Sequence, residues 1–137
     1  MESARDPLVL VCDDTASIRR LIRINLELEG CVVEEAPDGR EAVRRLIDPD
    51  ARTPDLVLLD AHMAPHDGWW AIAAIRAHPP LDDVPVVLVS AALHGLALAD
   101  VMDLGFDDVL AKPFDPDELI ALVSRMTGRT EGVRDSP

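Results

Sequence analysis

Three runs in this chain, Leu8 to Cys12, Leu56 to Leu59 and Val86 to Val89, are short, rich in branched side chains and unbroken by polar residues. A strand with one wet face alternates, whereas a strand covered on both faces reads as a continuous apolar run. These three therefore belong in the middle of a sheet with helices on either side. Cys31 to Glu35 and Asp108 to Ala111 mix in polar residues, as edge strands do. The stretches between carry helical spacing: Ile18, Leu21, Ile22 and Leu26; Ala42, Val43, Leu46 and Ile47; and Leu119, Leu122, Val123 and Met126. Asp38 with Glu41 and Asp115 with Glu118 have capping-box spacing, Pro116 suits a first helical turn, and Gly30 and Gly128 supply stops. Weaker helices are expected over Trp69–Ala77 and Leu96–Leu104, the latter ending at Gly105.

Strand then helix, repeated five times with short connections, predicts a doubly wound α/β fold: a parallel sheet with right-handed crossovers and helices on both faces. If strands 2 and 5 are the edges, the order is 2-1-3-4-5, and the topological switch lies between strands 1 and 3. Ligands of such sheets bind there, beyond the carboxyl ends of the strands. A length of 137 residues fits one domain, expected over 7–127, with an extension at 1–6 and a polar tail at 128–137. With 48% hydrophobic and 28% charged residues the chain can bury a core. Its formal charge of −13 repels phosphate backbones, so no nucleic-acid partner is expected. No signal segment or long apolar run suggests a membrane, and the cytoplasm is the expected location. Cys12 and Cys31 fit no metal or redox spacing, and on adjacent strands lie roughly 15 Å apart, so two buried reduced thiols are expected.

The chemistry lies at the residues just past each strand. Strand 1 runs into Asp13 and Asp14, strand 3 into Asp60, strand 4 into Ser90, and strand 5 into Lys112 and Pro113, while strand 2 delivers only Ala36. Neighbouring strands lie about 4.8 Å apart, so Asp13, Asp14 and Asp60 converge across the switch crevice. Three carboxylates that close cannot all stay ionised unless a cation compensates, and a hard divalent ion such as Mg²⁺, with oxygen ligands and retained waters, is the natural occupant. Lys112 can bring an ammonium over the site from about 10 Å away. Of 13 basic residues 12 are Arg and Lys112 is the single Lys, which suggests that a compact ammonium matters there. A cation, a point-charge donor, a hydroxyl and a spare carboxylate together make a phosphoryl-binding site.

From these residues onward the chain resembles the receiver domain of two-component response regulators, over about residues 7–127. The acidic pair, Asp60, Ser90 and Lys112-Pro113 carry the resemblance, as does Asp60-Ala61-His62-Met63 with Asp67-Gly68, which is similar to the family's loop after the phosphoacceptor. It implies a flavodoxin-like fold and a phosphoryl group accepted on Asp60 from a sensor histidine kinase or phosphotransfer protein. It further implies Mg²⁺ held by Asp13, Asp14, Asp60 and the backbone carbonyl of His62, with Lys112 pairing with Asp60 or its phosphate. Ser90 would track the phosphoryl oxygens, and the Lys112–Pro113 bond would be cis. The product is a hydrolysable acyl phosphate, so the expected class is a signalling module rather than an enzyme, although it catalyses its own phosphorylation and dephosphorylation. No effector domain comes after Gly128, so a stand-alone form that signals by contact with a downstream effector protein is expected.

Two positions depart from the family. An aromatic residue usually sits three before the Lys, where this chain has Val109 at the switch position, which leaves the usual coupling of hydroxyl movement to a ring without its ring. The proline usually four residues after the acceptor is displaced to Pro65, with Ala64 before it. Val109 motivates the competing reading of a phosphorylation-independent receiver-like interaction module. An aspartate-nucleophile phosphatase would want a second acid where this chain has His62. His62 and His66 read as solvated loop residues, Trp69 as core and Trp70 as half-exposed. Arg19, Arg20 and Arg23 make either a partner face or a solvated one. Helix 4, with Leu93, Leu96, Leu98, Val101 and Met102, has more apolar positions than one buried face needs, which fits a homodimer or partner surface on the helix 4 to helix 5 face.

Overall fold

The computed structural model describes residues 6–93 and 95–128. The expected extension and tail therefore lie outside the described residues, apart from Asp6 and Gly128. Five strands, β1 (Leu8–Cys12), β2 (Val32–Ala36), β3 (Leu56–Asp60), β4 (Val86–Ser90) and β5 (Asp108–Ala111), alternate with α1 (Ala16–Leu28), α2 (Gly39–Ile47), α3 (Gly68–Arg76), α4 (Leu98–Asp103) and α5 (Pro116–Met126). All pairings are parallel, and the order is β2-β1-β3-β4-β5, as the runs of apolar residues predict. Every residue of β1, β3 and β4 is buried, whereas β2 and β5 are mixed.

Alternation along the strands sorts the core into two layers. Leu10, Cys12, Val57, Leu59, Val86 and Leu88 face α2 and α3, where Ala42, Leu46, Ile72 and Ile75 meet them. On the opposite face Val9, Val11, Leu56, Leu58, Val87 and Val89 pack on Ile22 and Leu26 of α1 and Leu119, Leu122 and Val123 of α5. Edge-strand acids are satisfied by helix arginines: Glu34 pairs with Arg45 of α2, and Glu35 with Arg19 and Arg23 of α1. Cys12 and Cys31 are buried, and no disulfide joins them. Burial first, then the charges of Asp13 and Asp38, push the Cys12 thiol up, so it packs as a neutral apolar group.

The caps depart from expectation in detail. Asp115 and Glu118 form both halves of a capping box, and Pro116 stands in the first turn of α5. Asp38 accepts from the Glu41 N–H at 2.9 Å, but Glu41 turns toward Arg44 at 3.7 Å instead of completing the box. Helix α3 starts one residue earlier than its periodicity suggests because Asp67 caps it, accepting from the Trp70 N–H at 2.9 Å. Helix α4 is shorter than expected, starting at Leu98 after an Ala97 that offers no side-chain cap. Leu93 and Val101 pack on the core, which removes them from the expected helix 4 surface, while Leu96, Leu98 and Met102 stay exposed at 42%, 57% and 39%. Among the described residues no helix is long and apolar enough to cross a membrane.

Arg76, at the end of α3, closes the amino-terminal rim of the sheet. Its guanidinium donates to the carbonyls of Gly105 at 2.9 Å and of Leu81 and Val84 at 3.0 Å each, and to Asp107 at 3.0 Å. Asp107 in turn accepts from the Val86 N–H at 2.8 Å, at the start of β4. Gly105 has φ +114°, and a Cβ there would meet the Arg76 stem at 2.5 Å, so the glycine both turns the chain and admits the arginine. One planar donor thus joins three segments, which a point-charge ammonium cannot do. Arg76→Ala is expected to cost about 2–3 kcal/mol in urea unfolding, since several partly buried acceptors lose their donor together, and Arg76→Lys to recover less than half of that.

Candidate functional site

At the carboxyl ends of the strands the chain turns three times within a small space. The N–H of Asp13 still donates to Ala36 of β2 at 3.1 Å, but its side chain has entered the crevice. Its carboxylate accepts from the Thr15 N–H at 2.9 Å, an Asx-type turn that leads into α1. Asp60, the last residue of β3, is held from behind: Ala61 N–H donates to Val89 at 3.0 Å and Gly68 N–H to Ala61 at 3.1 Å. The Lys112 N–H donates to the Ser90 carbonyl at 2.9 Å, fixing the start of the β5–α5 connection, and the peptide bonds before Pro113 and before Pro65 are cis.

Lys112 Nζ donates to Asp13 at 2.8 Å and to Asp60 at 3.1 Å. One carboxylate oxygen each from Asp13, Asp14 and Asp60 lie within 4.8 Å of one another. Asp13 and Asp60 are buried at 2% and 5% exposure, and Asp14 is exposed. Burial pushes the Asp60 carboxyl above the ordinary aspartate range; the charge of Asp13 adds to this, while the His62 N–H at 3.2 Å and the Lys112 ammonium oppose it. Burial of Lys112 disfavours its charge, but the bond to Asp13 and the charges of both acids outweigh that, so its pKa is raised and it stays an ammonium. Three carboxylates against one ammonium leave two negative charges uncompensated.

That deficit, made of hard oxygen donors, fits a divalent cation of the Mg²⁺ type, which keeps several waters and therefore needs an open side. Asp14 supplies the open side, and a recess of about 320 Å³ lined by Asp14, His62, Met63, Ala64 and Asp67 adjoins it. Ser90 is buried and accepts from the Ala92 N–H at 3.0 Å, one strand from Asp60. Val109 is partly buried against the core beside Leu88.

Several residues fall elsewhere than their sequence context suggests. His66 is not a freely solvated loop residue: its ring lies 4.4 Å from that of Trp70, its Nδ1 is buried, and its carbonyl accepts from the Gly39 N–H at 2.8 Å. His62 is exposed, Trp69 packs edge-on to Phe106 at 6.0 Å, and Trp70 is 42% exposed. Arg19 turns inward, donating to the Asp13 carbonyl at 2.6 Å, and Arg23 is occupied by Glu27 and Glu35. Only Arg20 keeps an exposed position on the expected basic face of α1. Nothing in the spacing of residues announces the Arg19 contact, because a backbone acceptor carries no residue signature.

Comparison with known proteins agrees with this geometry. The family model described as the response regulator receiver domain matches residues 9–124. Among curated relatives, the DNA-binding dual master transcriptional regulator RpaA of Synechocystis is 32% identical over 127 residues, covering 93% of this chain and 52% of the relative. An uncharacterized 14.6 kDa protein of Leptolyngbya boryana is 35% identical, covering 85% of this chain and 87% of that one. The chain spans about half the length of RpaA and of the ycf27 regulators it also matches. Among solved structures, the chemotaxis response regulator CheY4 of Vibrio cholerae aligns with a TM-score of 0.79 at 28% identity, covering 88% of this chain and 98% of that one. The receiver domain of sensor histidine kinase PA1611 from Pseudomonas aeruginosa, solved with a magnesium ion coordinated in the active-site cleft, also aligns with a TM-score of 0.79 at 28% identity, covering 90% and 98%.

The crowding of charge has measurable effects on stability. Asp60→Asn is expected to stabilise the metal-free chain by about 1 kcal/mol, roughly 3 °C in Tm at this length, by removing a buried anion next to another. Because the folded-state pKa of Asp60 is raised, wild type loses stability as pH climbs from the unfolded aspartate value through the folded one. The gap between variant and wild type should therefore open with rising pH and close in acid, which thermal melts in a chelator at several pH values would check. Gly68→Ala should cost about 2 kcal/mol or more, because its Cβ would press on the backbone carbonyl of Asp60 and lie 3.0 Å from Ala61 Cα; denaturant titration reads this directly.

Proposed function

The chain belongs to the response regulator receiver domain family, and from that premise we propose that Asp60 accepts a phosphoryl group, with Mg²⁺ bound, and that the resulting mark is read by protein contact. The family is a signalling one, and its acidic pocket here is compatible with Mg²⁺ and with aspartyl phosphorylation. The observation that carries the reading is the Lys112 ammonium placed between Asp13 and Asp60 while a third carboxylate, Asp14, stands at the open edge.

The donor is a phosphohistidine of a sensor histidine kinase or phosphotransfer protein. An Asp60 oxygen attacks phosphorus in line, the P–N bond to the imidazole breaks, and the histidine leaves with the electron pair. A carboxylate attacking a polyanion needs the charge on the equatorial oxygens neutralised. Asp13, Asp14, Asp60 and the carbonyl of His62 would hold the cation, which would supply part of that charge. Lys112 supplies the rest from the opposite side as a fixed ammonium. Ser90, which accepts from the Ala92 N–H and keeps its own O–H to give, would donate that hydrogen to a phosphoryl oxygen. Water later cleaves the acyl phosphate, releasing phosphate and restoring the Asp60 carboxylate, so the chain promotes both steps of its own cycle without acting on an outside substrate.

The output is a downstream effector protein that meets the face of α4, β5 and α5, where Leu98 and Met102 are exposed; a second copy of the chain is the alternative occupant of that face. RpaA is named as DNA-binding, but this chain spans about half of it, and a formal charge of −13 disfavours nucleic acid as a direct partner of the receiver itself. The cytoplasm, where such kinases present their phosphohistidine, is the corresponding location.

Incubation with a small acyl phosphate and Mg²⁺, then intact mass measurement, should give one phosphoryl adduct. It should be absent from Asp60→Asn, absent in chelator, and slowed at least about a hundredfold in Lys112→Ala. No adduct from any donor would instead favour a receiver-like module that binds its partner without phosphorylation, which the Val109 substitution at the switch position motivates.

A further inference from the structure

The helical spacing of Arg19, Arg20 and Arg23 suggests a basic surface, yet Arg19 points at the site. Asp13 is the first residue past β1: its N–H still donates to the Ala36 carbonyl, but its own carbonyl lies beyond the strand register. Arg19 Nη1 takes that carbonyl at 2.6 Å, while Nε of the same guanidinium donates to Glu35 at 3.0 Å. The second oxygen of Glu35 is held by Arg23 at 2.8 Å, and the Arg19 side chain is 16% exposed. A planar fork braced against β2 therefore fixes the peptide plane that joins Asp13 to Asp14.

The two acids depend on that plane unequally. The Asp13 carboxylate is tied independently by Lys112 and by the Thr15 N–H. The exposed Asp14 carboxylate has, among the described residues, only the Thr15 hydroxyl at 3.4 Å, so its direction follows the backbone that carries it. We propose that Arg19 is a positioning residue for the cation site: by clamping the Asp13–Asp14 peptide it aims the Asp14 carboxylate at the oxygens of Asp13 and Asp60. This rests on the reading that the site takes Mg²⁺.

Coulomb's law alone gives the opposite sign. A guanidinium near a cation site repels the incoming ion, so its removal should tighten binding, whereas loss of a clamp should weaken it. Calorimetric titration of the full chain with Mg²⁺ separates the two. Arg19→Gln is expected to weaken Mg²⁺ binding about tenfold, the range seen when groups that orient metal ligands are removed. Arg19→Lys, able to serve one partner at a time, should recover part of the loss. In an Asp14→Asn background, Arg19→Gln should change affinity less than about twofold, because the ligand it aims is gone. Should Arg19→Gln fail to fold, Glu35→Gln, which loosens only the Nε side, should weaken Mg²⁺ binding several-fold with the same dependence on Asp14. Unchanged or tighter binding in whichever of these variants folds, or a full tenfold loss that persists without Asp14, overturns the proposal. A wild-type chain that takes up no Mg²⁺ overturns the functional reading first and this inference with it.

Discussion

A single ammonium group stands between two buried carboxylates, and much of the molecule is arranged to put it there. Lys112 reaches Asp13 and Asp60 from the far side of β4, at 2.8 and 3.1 Å, so strands separated in sequence by 52 and 99 residues must hold their ends in register to within a fraction of an ångström. Without the ammonium, two anions would share a low-dielectric crevice, at a cost that a chain of this size can scarcely carry. With it, the pair is held but only half neutralised, and Asp14 adds a further negative charge. An unliganded site with this composition retains a standing attraction for cations and a reason to have Lys rather than Arg: a compact point charge fits between two acids where a guanidinium would demand a plane.

The two rims of the sheet divide stability from chemistry. At the amino ends of the strands, arginines satisfy backbone acceptors in multiples: Arg76 spans four carbonyls and Asp107, and Arg52 donates to the Asp6 carbonyl at 2.7 Å and to Asp55 at 2.9 Å, with Asp55 also accepting from Leu8. These contacts tie the rim together, with Arg52 Nε the one donor of the two guanidiniums that is buried without a partner among the described residues. At the carboxyl ends, carboxylates outnumber their partners and a recess stays open to water. Buried strands with both faces covered supply a frame rigid enough to tolerate that imbalance.

The fold is readable in the residues because burial on both faces leaves a direct trace in β1, β3 and β4, and the site because parallel strands send their final residues to one rim. Asp13, Asp60, Ser90 and Lys112 need only strand ends and strand order to be brought together. The features that escape the sequence have a common physical character: they depend on backbone atoms. Arg19 on the Asp13 carbonyl, Arg76 on four carbonyls, and the close approach of Gly68 to Asp60 involve partners whose residue identity is irrelevant, so no pattern of residue types encodes them. The His66–Trp70 contact escapes for a different reason, since a short loop places its side chains by its path and not by a period. The helical stripe reaches back to Leu96, but α4 begins at Leu98 behind an Ala97 with no side-chain cap, so no residue type marks where it starts.

These features make the surroundings of the site unequal in stiffness. On the β1–α1 side, Arg19, Glu35, Arg23 and the Thr15 turn lock a helix of 13 residues to the sheet edge. Opposite, the β4–α4 segment is tied at Ser90 by one bond from Ala92 to a side-chain oxygen and leads to an uncapped helix of six residues in which Val101 is the buried anchor. Missing caps and sparse burial both lower the free energy of local rearrangement. On the proposed function, charge added at Asp60 would be answered first by the weakly held side, where a few hydrogen bonds set the energy of rearrangement. On the proposal that Asp60 takes a phosphoryl group, displacement of the Ser90 hydroxyl toward the new oxygens would free Ala92 and shift the exposed Leu98 and Met102 surface, with no aromatic rotamer required at Val109.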